Sequence, residues 1–143
     1  MRKKQYEDAM ARYETVLGMK KTNFGETDVR VARTYERMAN VEAILVKMHP
    51  PQGTYDEAIS LYVKAIGIYK LHLPVDHVSI LFATACMGDM YFGRGRPGDD
   101  TTALGYYDSS LHLILEKQIK MNPDLVGMYS NMGGKLSGSL RFY

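Results

Sequence analysis

A spacing of 22 residues, held three times, constrains this chain more than any other feature. Three segments align with one another: YEDAMARYETVLGMK from Tyr6, YDEAISLYVKAIGIYK from Tyr55 and TALGYYDSSLHLILEK from Thr102. In each, a small residue leads an aromatic one by four: Ala9 and Tyr13, Ala58 and Tyr62, Ala103 and Tyr107. Apolar or small residues continue at helical spacing, as in Leu61, Tyr62, Ala65, Ile66 and Tyr69, so each segment reads as a helix with one apolar face. Counting 22 residues on from the three alanines reaches Val31, Ile80 and Leu125. From each of these a second pattern recurs: Tyr35, Met38, Ala39; Thr84, Met87, Gly88; Tyr129, Met132, Gly133. The chain alternates two helix types, which we label B (the alanine-led segments) and A.

Local signals divide the chain at the same places. Thr54 and Glu57 form an S/T-x-x-E capping box, Asp76 stands where it can cap the helix through Ile80, and Asn122-Pro123 puts proline at a first helical position. His49-Pro50-Pro51 and the stretch Gly93 to Gly98 stop helices. No convincing strand run lies between them. The fold class expected is all-α, with helices over roughly 5–21, 28–48, 54–72, 76–93, 100–121 and 123–136 and a tail over 137–143, in a single domain.

Composition limits the chemistry. With 45% hydrophobic and 24% charged residues among 143, the chain reads as a folded, soluble domain. Its 18 basic and 16 acidic residues nearly cancel, so nucleic-acid binding by bulk charge is not expected and a partner must be recognised by a local surface. The lone Cys86 rules out an intrachain disulfide framework and suits a reducing cytoplasm. The start MRKKQYEDAM has no apolar run behind it, and no stretch approaches the roughly 20 apolar residues of a spanning helix, so no membrane association is expected.

Catalytic and ligand motifs fail their context tests. GRGRPG at 93–98 matches the glycine string of dinucleotide sites and the core of minor-groove hooks, but a helix precedes it where a strand is needed, and Asp99 and Asp100 follow at once. It reads as an inter-helix turn, with an exposed basic contact for an acidic protein as the alternative. His49, His72, His77 and His112 give no zinc spacing, Asp108, His112 and Glu116 read as a solvated i,i+4 ladder, and GGKLSG at 133–138 lacks a P-loop's Ser or Thr. Enzyme activity, metal, cofactor and small-molecule substrate are all unexpected.

The residues QGTYDEAISLYVKAI at 52–66 resemble the tetratricopeptide repeat (TPR), and the kinesin light chain type in particular, whose helix pairs recur at about 42 residues rather than 34. Met87-Gly88 with Tyr91 match that family's bulky-small pattern in the first helix of a repeat, and Ala58, Tyr62 and Ala65 match its small-aromatic-small pattern in the second. The resemblance covers roughly 6–136 and implies an α-solenoid of antiparallel helix pairs, about 2.5 to 3 repeats. Two departures stand out. Ala9 to Ala58 spans 49 residues and Ala58 to Ala103 spans 45, so the first joint carries about two extra helical turns, which places NVEAILVKM in a prolonged helix. Glu42 occupies a place where tyrosine is expected.

The resemblance implies binding of an extended peptide or a partner helix in a groove lined by A-type helices. The groove positions are Arg33, Arg37 and Asn40, then Phe82, Cys86 and Asp89, then Asn131. Arg33 and Arg37 are i,i+4 neighbours able to grip one carboxylate, so a protein or peptide with acidic residues is the expected partner; the alternative is a solvated face paired with Glu36. Of the family's paired groove asparagines only Asn131 is retained. Two functions follow: a kinesin light chain-like adaptor or scaffold in the cytoplasm, or a structural subunit of a cytoskeletal or ciliary assembly packing through ridges and ends. The chain opens on an unpaired B-type helix and closes on an unpaired A-type one, which implies a fragment or a subunit completed by neighbours.

Overall fold

A computed structural model describes residues 3–48 and 54–117, with side chains as far as residue 113. The described residues are helical and contain no strand: α1 (Lys3–Phe24), α2 (Val29–Met48), α3 (Tyr55–His72), α4 (Val78–Arg94) and α5 (Asp99–Lys117). The chain divides into two compact units, Met1–Val75 and Asp76–Tyr143. The all-α expectation holds, and the five helices match the expected spans within about three residues at described ends. The expected helix over 123–136 and the tail lie outside the described residues.

In the first unit α2 is central and pairs with both α1 and α3. Its contacts with α3 run in opposite chain directions: Tyr62 meets Asn40 and Tyr69 meets Glu36. Those with α1 do the same, with Tyr6 on Met48 and Lys21 over the Tyr35 ring. The A-type pattern buries Val31, Ala32, Tyr35, Met38 and Ala39, and the B-type pattern buries Ala58, Tyr62, Ala65, Ile66 and Tyr69. Each large side chain so buried contributes about 1.5–3 kcal/mol. The extra residues of the first joint do prolong a helix, because α2 is continuous to Met48 and buries Ala43, Leu45 and Val46 in its last turns.

The ends follow from local chemistry. Gly25 takes φ 92° after α1, a conformation cheap only for glycine, and its N–H closes on Lys21 O at 3.0 Å. Asp28 opens α2 by accepting the Arg30 N–H at 2.8 Å. Thr54 caps α3 by accepting the Glu57 N–H at 3.1 Å. The reciprocal half of the expected box is altered: the Thr54 N–H donates to Glu42 Oε1 of α2 at 3.1 Å, so a carboxylate from the neighbouring helix supplies what Glu57 would in a local box.

In the second unit α4 and α5 pair around Leu81, Ala85, Ala103 and Tyr107. The expected cap Asp76 is replaced by its neighbour: His77 Nδ1 accepts the Ser79 N–H at 3.1 Å. The histidine sits one residue nearer the helix, in extended conformation, where its ring nitrogen reaches the second amide. Gly88 is small for a physical reason, since a Cβ there would lie 3.0 Å from Tyr107 Cε1. Tyr91 stacks on Tyr106 with centroids 5.7 Å apart.

GRGRPG is an inter-helix turn. Gly95 ends α4 in the left-handed region, and Arg94 reaches across the turn to Asp99, Nε to Oδ2 and Nη2 to Oδ1 at 2.8 Å each. Asp99 Oδ2 also accepts the Arg96 N–H at 2.9 Å. These donors hold the carboxyl down to about 2, the Arg94 bonds contributing most.

Candidate functional site

On α2 the three residues expected to line a groove share one exposed face: Arg33, Arg37 and Asn40, at steps of four and three. What positions them is the helix they stand on, whose opposite face is locked into α1 and α3. Asn40 is further fixed by its side chain, because Oδ1 accepts the Tyr62 hydroxyl at 2.5 Å. Its amide N–H groups are left to donate outward.

Glu36 decides how the two arginines behave. It lies between them in sequence but turns to α3, where Oε1 accepts the Tyr69 hydroxyl at 2.6 Å. Burial pushes the Glu36 carboxyl above its usual range, while the Tyr69 bond and the two guanidinium groups oppose the rise. Burial and the Glu36 bond push the Tyr69 hydroxyl up. Neither Arg33 nor Arg37 has an ion pair at 4.0 Å or less among the described residues. Two cations one helical turn apart therefore stand in solvent beside a fixed amide donor.

On α4 the corresponding residues Phe82, Cys86 and Asp89 also share a face, but each is half-buried. Phe82 packs against the α4–α5 core. Asp89 accepts the Tyr107 hydroxyl, and burial followed by this bond drives the tyrosine upward in pKa. This face is engaged with α5 through both Phe82 and Asp89, whereas the α2 face is engaged with α3 through Asn40 and keeps Arg33 and Arg37 exposed. Asn131 lies outside the described residues.

A second site went unread in the sequence. Glu7 and Glu14 of α1, Glu42 of α2 and Glu57 of α3 line a recess of about 320 Å³ together with Met10 and Leu45. Glu42 is only 5% exposed. Burial, then the neighbouring Glu57 carboxyl, pushes it up to about 7, against the Thr54 N–H bond that favours the charged form. The signal was present: Glu42 stands 11 residues after Val31, and the residue 11 after Ile80 is the stacked Tyr91. A carboxylate in a ring's place leaves both a void and a buried charge.

Among the described residues no group of three His, Cys, Asp or Glu side chains could hold a metal ion, and no helix is long and apolar enough to cross a membrane. Asp108 and His112 lie exposed on α5. Compared with models of protein families and with curated proteins, the chain matches none.

Proposed function

We propose that this is a non-enzymatic, TPR-like helical-repeat protein of the kinesin light chain type that binds an extended peptide or helix of an acidic partner protein across the exposed face of α2. Arg33 and Arg37 grip a partner carboxylate, and the Asn40 amide donates to its backbone. The observation that carries this reading is the diversion of Glu36 to Tyr69, which leaves the two arginines without an ion pair among the described residues. Surface arginines held by a neighbouring carboxylate would offer little, because the existing pair would have to be broken first. The interval register and the Tyr62–Asn40 pairing support the helix-pair reading.

The test is selection from a displayed peptide library with the wild-type protein and with an Arg33→Ala/Arg37→Ala variant of equal helicity. Acidic peptides enriched by the wild type alone support the assignment; equal enrichment by both removes it.

A second reading, a subunit packing into a larger assembly through its ridges and ends, is favoured by the apolar residues α1 leaves exposed, Val16 and Met19 among them.

A further inference from the structure

The recess among α1, α2 and α3 lies within the first unit, and each of its three helices brings a carboxyl to it. Glu7, Glu14 and Glu57 stand exposed, whereas Glu42 and Leu45 are buried. Glu7 is already held by Lys3, whose Nζ lies 3.6 Å from Oε1. Glu14, Glu42 and Glu57 have no ion pair at 4.0 Å or less among the described residues.

Glu42 is short of donors for a group so deeply placed. A carboxylate accepts about four hydrogen bonds, yet a single N–H reaches Glu42 among the described residues, that of Thr54 at 3.1 Å. Its other polar neighbour is the Glu57 carboxyl, which when ionised adds a second negative charge in place of a donor. Leaving a buried anion so poorly compensated is costly, and a proton on the pair is how the chain alone relieves it, with the Glu42 carboxyl pushed up to about 7. Packing does not demand a carboxyl here, because the equivalent place in the second unit holds the stacked ring of Tyr91. A bound cation would supply the missing donors without the proton.

The recess selects the kind of cation. No three acidic side chains among the described residues are placed to hold a metal ion together. Met10, Ala11 and Leu45 share the lining, and apolar walls suit a methylene stem behind a charged head. Carboxyls on three helices match the three separate N–H donors of an ammonium better than the planar fork of a guanidinium. We propose that the α1–α2–α3 recess binds a primary alkylammonium group, its N–H groups shared among Glu14, Glu42 and Glu57 and its methylenes lying on Met10, Ala11 and Leu45. The ammonium takes the place of the proton, so binding strengthens as pH rises through neutrality. None of these residues belongs to the Arg33 and Arg37 face, and the site does not depend on that reading.

The probes are cadaverine, a free diamine, and Nα-acetyl-lysine methylamide, which carries a protein's lysine side chain. Each is titrated into the full chain, isotope-labelled at its methionine methyls, and the Met10 signal is followed by NMR. A saturable shift is expected, with affinity about tenfold higher at pH 8 than at pH 6, as one group titrating near 7 requires. Tighter binding of the capped lysine gives the site to a partner's side chain, and tighter binding of cadaverine gives it to a free diamine. Glu42→Gln, which keeps an acceptor for Thr54, should weaken binding about tenfold and remove its pH dependence. Glu14→Gln, at an exposed position, should also weaken it, while Glu26→Gln on the α1–α2 turn and Arg33→Ala/Arg37→Ala should bind as wild type does. Circular dichroism should be the same for all. The proposal is overturned if neither amine shifts Met10, if Glu42→Gln and Glu14→Gln both bind as wild type does, or if affinity is equal at pH 6 and pH 8. Displacement of the amines by equimolar magnesium overturns it too, since the carboxyls would then serve an inorganic ion.

Discussion

Tyr62 donates its hydroxyl to Asn40 in the first unit, and Tyr107 donates its own to Asp89 in the second. The donors hold one register position in the B-type helices and the acceptors one position in the A-type helices. The repetition fixes how each helix pair meets: a ring fills the interface and its oxygen is satisfied at the edge.

Tyr62→Phe should therefore cost about 0.5–1.5 kcal/mol in urea unfolding, since the exposed Asn40 can turn to water. Tyr62→Ala should cost about 3–5 kcal/mol, because it empties a fully packed position. A double-mutant cycle with Asn40→Ala should recover coupling for the hydroxyl alone.

Glu42 sets a pH dependence of defined sign. Its carboxyl is pushed up to about 7 in the folded chain, so the folded state binds the proton more tightly than the unfolded one. Its contribution to stability is fully present below the ordinary glutamate range and is lost as pH rises toward 7. Glu42→Gln keeps an acceptor for the Thr54 N–H and carries no charge. Thermal unfolding at pH 8 should show the variant more stable than wild type by on the order of 2 kcal/mol, with the difference vanishing near pH 4.

Asp99 works in the other direction. Held down to about 2 by Arg94, it stabilises the folded chain above the ordinary aspartate range, and that contribution disappears as pH falls through 2. Asp99→Asn should lower the melting temperature at neutral pH and flatten the acid limb of the stability profile.

Gly88 tests the close approach in the second unit. Gly88→Leu drives a side chain into the Tyr107 ring, and a loss of about 1–3 kcal/mol is expected. The same substitution at Gly67, whose Cβ would meet nothing within 4 Å, should be neutral or stabilising by about 1 kcal/mol through helix propensity.

The helices were legible in the sequence because an amphipathic period is a property of single segments. The 22-residue register marked where the two helix types fall but not which helices pair, since α3 packs on α2 and α5 on α4, and the two-turn excess in the first joint placed 40–48 in a helix. The partners of polar side chains were less legible. Nothing local says that Glu36 turns to Tyr69 rather than to its arginine neighbours, or that Glu42, not Glu57, takes the Thr54 amide. Those choices depend on which helix lies opposite, and 33 and 12 residues respectively separate the bonded groups. His77 displaced Asp76 as a cap because a single-residue shift at a helix start changes which amide is in reach.

We propose that an acidic ligand is captured at the Arg33 and Arg37 face. The most direct measurement is the affinity of a selected acidic peptide for the wild type, for Arg33→Ala/Arg37→Ala and for Lys70→Ala, an exposed-cation control on α3. At least a tenfold loss, about 1.4 kcal/mol, is expected for the double variant and none for the control. Equal affinity across all three proteins would contradict it.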